Sequence, residues 1–468
     1  MRSSALAAAI ALAPLALSAA AAHAAGAPCN PLAYGAVGDG VTDNTAAIQS
    51  AIDGCVAAFG GGVVILSVQN GKGTYLSGPI RLASHIKLQI DKGATLLGTA
   101  DHSKYHIAFS NYPYHANEAL VSAYQAVDIG IIGPGTIDGQ GGMPAADGGP
   151  SWWQLTQPAG ATTDGITWYA APYADIPISN GVPRPWLVEF YQCNEVAVND
   201  LTLTNAPASN LVLRYSSHIT VSELTVTVTP DPQIPNTDGI DVIGSSGMTL
   251  IFLNIASGGD SIALKSGLPI AGNPNEAGLP QLSTHEVQIV NSKFSNGNGI
   301  VVGGEAVNGV YNVLANNITG TNLRHGLVIR SDRIGGNQAT GVYNIWAQNM
   351  NLTGVTQPLA IGDPSATAEP PHPVTPTTPN IHDVTVKNVI ATGATEANFI
   401  AGLPEACIRN VVLENVSIAD LRLRNMTGTF TNAKIPAAIV QDNVTVTTAG
   451  TTPAITNTPW QPSCSANP

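Results

Sequence analysis

Charge is scarce in this chain of 468 residues: Asp, Glu, Lys and Arg make up 10%, against about 25% in an ordinary globular domain. Aromatic residues are also few, at 5%. The surface must therefore be built from Asn, Thr, Ser and Gly, as in many exported β-rich proteins. Basic residues number 18 against 31 acidic ones, a formal net charge of −13, so a phosphate backbone is a poor partner and no nucleic acid is expected. The same sign opposes a polyanionic sugar only weakly, because a local basic cleft overrides the global field. There is no H-E-x-x-H and no Cys/His cluster at zinc spacing, so neither a metal nor another cofactor is expected. Past the N-terminus no apolar run approaches the roughly 20 residues of a membrane span.

What the chain does have begins with an address. Arg2, the apolar run Ala5 to Ala22 and the A-x-A site Ala22-His23-Ala24 form a secretory signal over residues 1–24. The expectation is a single exported, monomeric domain over 25–468, periplasmic or extracellular and not held in a membrane. Export permits disulfides. Of five cysteines, Cys29 and Cys55 are the best pair, Cys407 with Cys464 a weaker one, and Cys193 is left as a buried thiol.

Asp43 or Asn44 can cap a helix in which Ile48, Ile52, Cys55 and Phe59 recur at helical spacing and which Gly60 to Gly62 stop. One helix ahead of many strands suits a cap, over about 29–62, on the open end of a solenoid. Val63 to Leu97 follow as short strands. Trp152 and Trp153 fall in an irregular stretch, 141–183, read as a wall of a binding groove, with its tryptophans either stacking on sugar rings or packing onto the body. From Arg184 the repeats are plain. CNEVAVNDLTLTN, SHITVSELTVTV, THEVQIVNSKFSN and IRNVVLENVSIAD each hold two β-rich runs divided by a polar pair, often with Asn, which accepts left-handed corners and can stack between coils. The fold expected is all-β, a single-stranded right-handed parallel β-helix with a short N-terminal capping helix. After Asp420 the pattern weakens, and 421–468 read as a tail packed along the outside.

The stretch NTDGIDVIGSSGMTLIFLNIASGGDSIALK, Asn236 to Lys265, places Asp238 and Asp260 at the same phase of two consecutive repeats. In a stacked coil they would lie about 4.7–4.9 Å apart along the strand-spacing direction. Paired carboxylates are the equipment of glycosidic hydrolysis.

With YGAVGDGVTDNTAAIQSAI, GPGTIDGQG, RPWLVEFYQCNEV and NTDGID, nearly the whole chain resembles glycoside hydrolase family 28, the polygalacturonases. The resemblance implies inverting hydrolysis of α-1,4-galacturonan, with pectic polysaccharide as partner. Family sites look like N-T-D, G-D-D, G-H-G and R-I-K. Asn236, Thr237 and Asp238 match the first. Gly259 stands where the proton-donating Asp belongs and Asp260 keeps the second. Asn298 replaces the histidine, Val328 the arginine, and Arg330 the lysine; Lys265 is similar to a lysine of bacterial members. Asp238 and Asp260 are thus the expected catalytic residues. As like charges close together one keeps its proton, which makes Asp260 the acid and Asp238 the base. Asn236, Lys265, Asn298, Arg330 and His325 are the expected substrate contacts. Asp241 reads as a turn residue beside Gly239, and Glu305 and Asp332 as solvated or structural charges. Two other readings stay open: a noncatalytic carbohydrate-binding β-helix, and a pectic lyase, for which the carboxylates are few for a calcium cage.

Overall fold

The structure, a computed structural model, describes residues 27–109, 116–156, 184–228, 237–267, 280–362 apart from 334, and 372–458 apart from 442, 453, 454 and 456. The signal segment, Asn236, residues 157–183 and Cys464 lie outside the described residues.

The chain coils as a right-handed parallel β-helix. One wall is a twenty-stranded sheet and the other a twelve-stranded sheet. The strands of the second wall are Ile80–Leu82 (β1), Val121–Tyr124 (β2), Val188–Tyr191 (β3), Leu211–Arg214 (β4), Ile240–Ile243 (β5), Asp260–Lys265 (β6), Asn298–Gly304 (β7), His325–Ser331 (β8), Gln357–Gly362 (β9), Asn398–Ala401 (β10), Leu421–Arg424 (β11) and Ala438–Val440 (β12). All pair in parallel, each strand between the two ends with the coil before and after. Val188, Leu211, Ile240, Ile262, Ile300, Leu327 and Leu359 stand level on seven successive coils. Each is buried. Alternation sends these side chains inward and their neighbours outward, so the coil is held by a column of aliphatic contacts.

The corners follow from asparagine. Asn349, Asn388, Asn415 and Asn432 take φ of +51° to +55°, the left-handed region that Asn tolerates better than other side chains. Their amides also stack. Asn388 Nδ2 donates to Asn349 Oδ1 at 3.0 Å, Asn415 to Asn388 at 3.0 Å and Asn432 to Asn415 at 3.1 Å. An amide is donor and acceptor at once, so one residue type satisfies itself along the whole edge.

The helix Thr45–Phe59 (α1) buries Ile48, Ala51, Ile52 and Cys55, and ends at Gly60 with φ +74°. Gln49 takes both backbone groups of Arg81 in β1: the Arg81 N–H donates to Oε1 at 2.8 Å and Nε2 donates to its carbonyl at 3.1 Å. The helix thus covers an edge strand. Cys29 and Cys55 are bridged, Cys407 is also in a disulfide, and Cys193 is a buried free thiol. Three details differ from expectation. Phe59 is exposed, because it lies in the last helical turn beyond the sheet. Asn44 is the N-cap residue but makes no side-chain cap bond; it is buried and bonds Val37, Thr42 and Leu76 instead. The coil also runs on past Asp420: Val444–Ala449 pair in parallel with Met426–Thr431, so the stretch read as an external tail is still wall there.

Candidate functional site

Strand starts on successive coils bring the site together. Asp238 sits in the turn before β5, and Asp260, Asn298 and His325 open β6, β7 and β8. They form one hydrogen-bonded row. The Asp260 backbone N–H donates to Asp238 Oδ1 at 2.8 Å. Asn298 Nδ2 donates to Asp260 Oδ1 at 2.7 Å. Asn298 Oδ1 lies 2.7 Å from His325 Nδ1. The carboxylate fixes the amide's orientation, so Oδ1 must accept and His325 carries its hydrogen on Nδ1. Glycines permit this closeness. Gly239 has no room for a Cβ, which would come 2.6 Å from the Ser261 carbonyl, and Gly297, at φ +51°, would place one 2.0 Å from the Gly259 carbonyl.

A second group lies on the outward face of the same strands. Lys265 Nζ is 3.1 Å from Asp241 Oδ1, 3.6 Å from Asp238 Oδ2 and 3.9 Å from Glu305 Oε2. Lys265, Asp238, Asp241 and Asp260 are all buried, so the ammonium is a counter-ion inside a carboxylate cluster. Burial works against its charge, but Asp241, Asp238 and Asp260 outweigh that and hold its pKa above the usual lysine value.

The acids divide by environment. Burial, then the Asp238 charge, push Asp260 up to about 6, against relief from Asn298 and Lys265. Burial raises Asp241, with Lys265 opposing. Burial lifts Glu305 to about 8, with Arg330 opposing and Asp332 assisting. Burial, with Arg324 and Arg330 beside it, lowers His325. The exposed side of the cluster is formed by the partly buried Asn298, His325 and Glu305 and by the exposed Arg330.

Of the residues expected from sequence, Asp238, Asp260, Asn298, His325 and Lys265 come together, with Arg330 on the neighbouring strand end. Asn236 is outside the described residues. Two acids were undervalued. Asp241 is not a turn residue but a buried strand residue paired with Lys265; the pairing of Ile243 with Lys265 sets this, and no local motif shows it. Glu305, read as a solvated or structural charge, is part of the cluster. The tryptophans chose packing: Trp152 stacks on His102 with centroids 3.7 Å apart, and Trp153 Nε1 donates to the Ala206 carbonyl at 3.0 Å. Both are buried.

Among the described residues no group of three or more His, Cys, Asp or Glu is disposed to hold a metal ion, and no helix is long and apolar enough to cross a membrane.

Comparison with known proteins returns the same architecture. Residues 61–439 match the model of Glycosyl hydrolases family 28. An endo-polygalacturonase of Pectobacterium carotovorum subsp. carotovorum is 29% identical over 298 residues, 62% of this chain and 65% of the relative. One from Pectobacterium parmentieri is 30% identical over the same shares. The chain thus spans 65% of the length of these curated relatives. Among solved structures, a hyperthermoactive exopolygalacturonase from Thermotoga maritima superposes with a TM-score of 0.66 at 22% identity, over 89% of this chain and 91% of that one. A polygalacturonase from Erwinia carotovora ssp. carotovora does so at 0.61 and 24%, over 87% and 94%. At those identities the structures speak for the fold.

Proposed function

Because the chain belongs to glycosyl hydrolases family 28, we propose that it is an exported, monomeric hydrolase that cuts α-1,4-galacturonosyl linkages of pectic polymers with inversion, its domain running from about residue 25. The observation that carries this reading is the pair Asp238 and Asp260 on adjacent coils, one bonded to the backbone of the other. The family membership supports the substrate class, and the Cys29–Cys55 disulfide suits an exported protein.

Asp238 is the base that takes the proton of the attacking water. Asp260 shares that work. It keeps a proton up to about pH 6, and above that pH it stands as a carboxylate beside Asp238. Asn298 orients Asp260 through its amide, and His325 fixes Asn298 in turn. Lys265 keeps two close aspartates from repelling each other and so positions them. Arg330, the exposed cation, matches a uronate carboxylate with its fork of donors, and Asn236 is a further substrate contact in this reading.

The test is mass spectrometry of products from pectic oligosaccharides in heavy-oxygen water. A label at one new reducing end shows hydrolysis and names the sugar. An unsaturated product instead would make the protein a lyase. Binding without any cleavage would make it a carbohydrate-binding β-helix, the reading that Gly259, which cannot donate a proton, favours.

A further inference from the structure

Gly259 leaves the family's donor position without an acid, so the proton for the leaving oxygen must come from another side chain. Asp260 is badly placed for it. Inverting enzymes hold acid and base about 6.5–9.5 Å apart, on opposite sides of the bond. Asp260 accompanies Asp238 on the next coil, about 4.7–4.9 Å along the stack, with its own N–H on the Asp238 carboxylate. That puts both on the water side.

We infer that Glu305 is the general acid that replaces the missing aspartate, a role that rests on the hydrolase reading above. Glu305 follows β7 directly and shares Lys265 with Asp238. One ammonium lies 3.6 Å from Asp238 Oδ2 and 3.9 Å from Glu305 Oε2. The two oxygens are therefore no further apart than those distances combined, a limit that the inverting separation can meet. Oε2 is buried and makes no hydrogen bond, yet the side chain is 22% exposed. A carboxyl with one oxygen buried against Lys265 and no hydrogen bond to hold its charge is free to carry a proton on the other. The charged groups around it are Lys265 on β6, Arg330 at the end of β8 and Asp332 just beyond. Burial, with Asp332 assisting, outweighs Arg330 and keeps the proton on up to about pH 8.

The step balances. The Glu305 O–H gives its proton to the glycosidic oxygen as the C1–O bond breaks. Water forms the new C1–O bond and loses a proton to Asp238. Exchange with solvent then returns Glu305 and Asp238 to their starting states.

The experiment compares Glu305→Gln, Glu305→Asp and the unaltered protein on two substrates. One is the pectic oligosaccharide that the protein cleaves; the other is its dinitrophenyl glycoside, whose leaving group needs no proton. Glu305→Gln should lose about 10²–10⁴-fold on the first and less than about tenfold on the second. The fall in rate near pH 8 should vanish with it, and Glu305→Asp should recover part of the loss. Equal losses on both substrates would mean a structural role and overturn the assignment, as would full activity of Glu305→Gln on the oligosaccharide. If the unaltered protein cleaves neither substrate, the hydrolase reading itself fails and takes the assignment with it; cleavage with the wrong acid leaves that reading standing.

Discussion

Two polar stacks run up this coil, and they solve the same problem differently. Along one corner, Asn349, Asn388, Asn415 and Asn432 bond each to the next. At the strand starts of the other wall, Asp238 and Asp260 also stand on adjacent coils, but a carboxylate only accepts. Two of them cannot satisfy each other, so donors are interposed: the Asp260 backbone, the Asn298 amide and the Lys265 ammonium. The first stack is a repeat and stabilises. The second is made of residues that each occur once, and it holds charges in a buried place where they are costly. The chemistry proposed above belongs to the stack that does not satisfy itself.

The sharpest way to break the comparison is Asp238→Asn. It turns the acidic stack into something closer to the amide one and should remove about 10²–10⁴-fold of kcat/KM, the usual worth of a general base, with the melting temperature held or raised. Wild-type turnover in this variant would end the base assignment. Next in size is Lys265→Met, which leaves Asp238 and Asp241 without their counter-ion. Breaking a buried pair this way costs about 3–5 kcal/mol, to be read by urea unfolding at neutral pH. The cost should shrink in acid, where the aspartates are protonated.

The pH dependence of stability separates the two stacks without mutation. Asp260 and Glu305 have folded values of about 6 and about 8, above ordinary values of 3.8 and 4.5. The folded chain therefore binds more protons than the unfolded one between those limits, so their contribution is fully present in acid and is lost as pH rises through about 6 and then about 8. Asp260→Asn and Glu305→Gln should each flatten their part of that decline in urea midpoints. A decline that both leave untouched would count against the buried acids as its source. The smallest effect belongs to the amide stack. Asn388→Ala should cost about 1–2 kcal/mol through the left-handed corner and lost bonds, and Asn388→Gly, which removes the backbone strain, less. Equal costs would show that the corner conformation is unimportant.

The same contrast explains what could be read from the amino acids alone. Asparagine corners and β-rich runs recur, so the parallel coil, its capping helix and the Cys29–Cys55 bridge were visible. Asp238, Asp260 and Asn298 were visible as positions in known motifs. Lys265 was visible as a residue but not as a buried ion-pair partner, because that depends on which turn of the coil faces which. The cluster membership of Asp241 and Glu305 is hidden for the same reason: beside glycines each looks like an ordinary loop charge. Register, not composition, makes them neighbours, and register is set by inserted loops whose lengths no periodicity predicts.

The bond from the Asp260 amide to Asp238 spans only 22 residues of chain. Closing one loop of that length joins the two aspartates, at a small entropic charge that grows only slowly with length. Glu305 arrives a coil later. A solenoid repeat contacts only its neighbours, so the pairing of Asp238 with Asp260 does not depend on the coil end that carries Glu305. If Glu305 is the acid proposed above, a nascent or partly unravelled chain missing that part would hold the aspartate pair and still be inert.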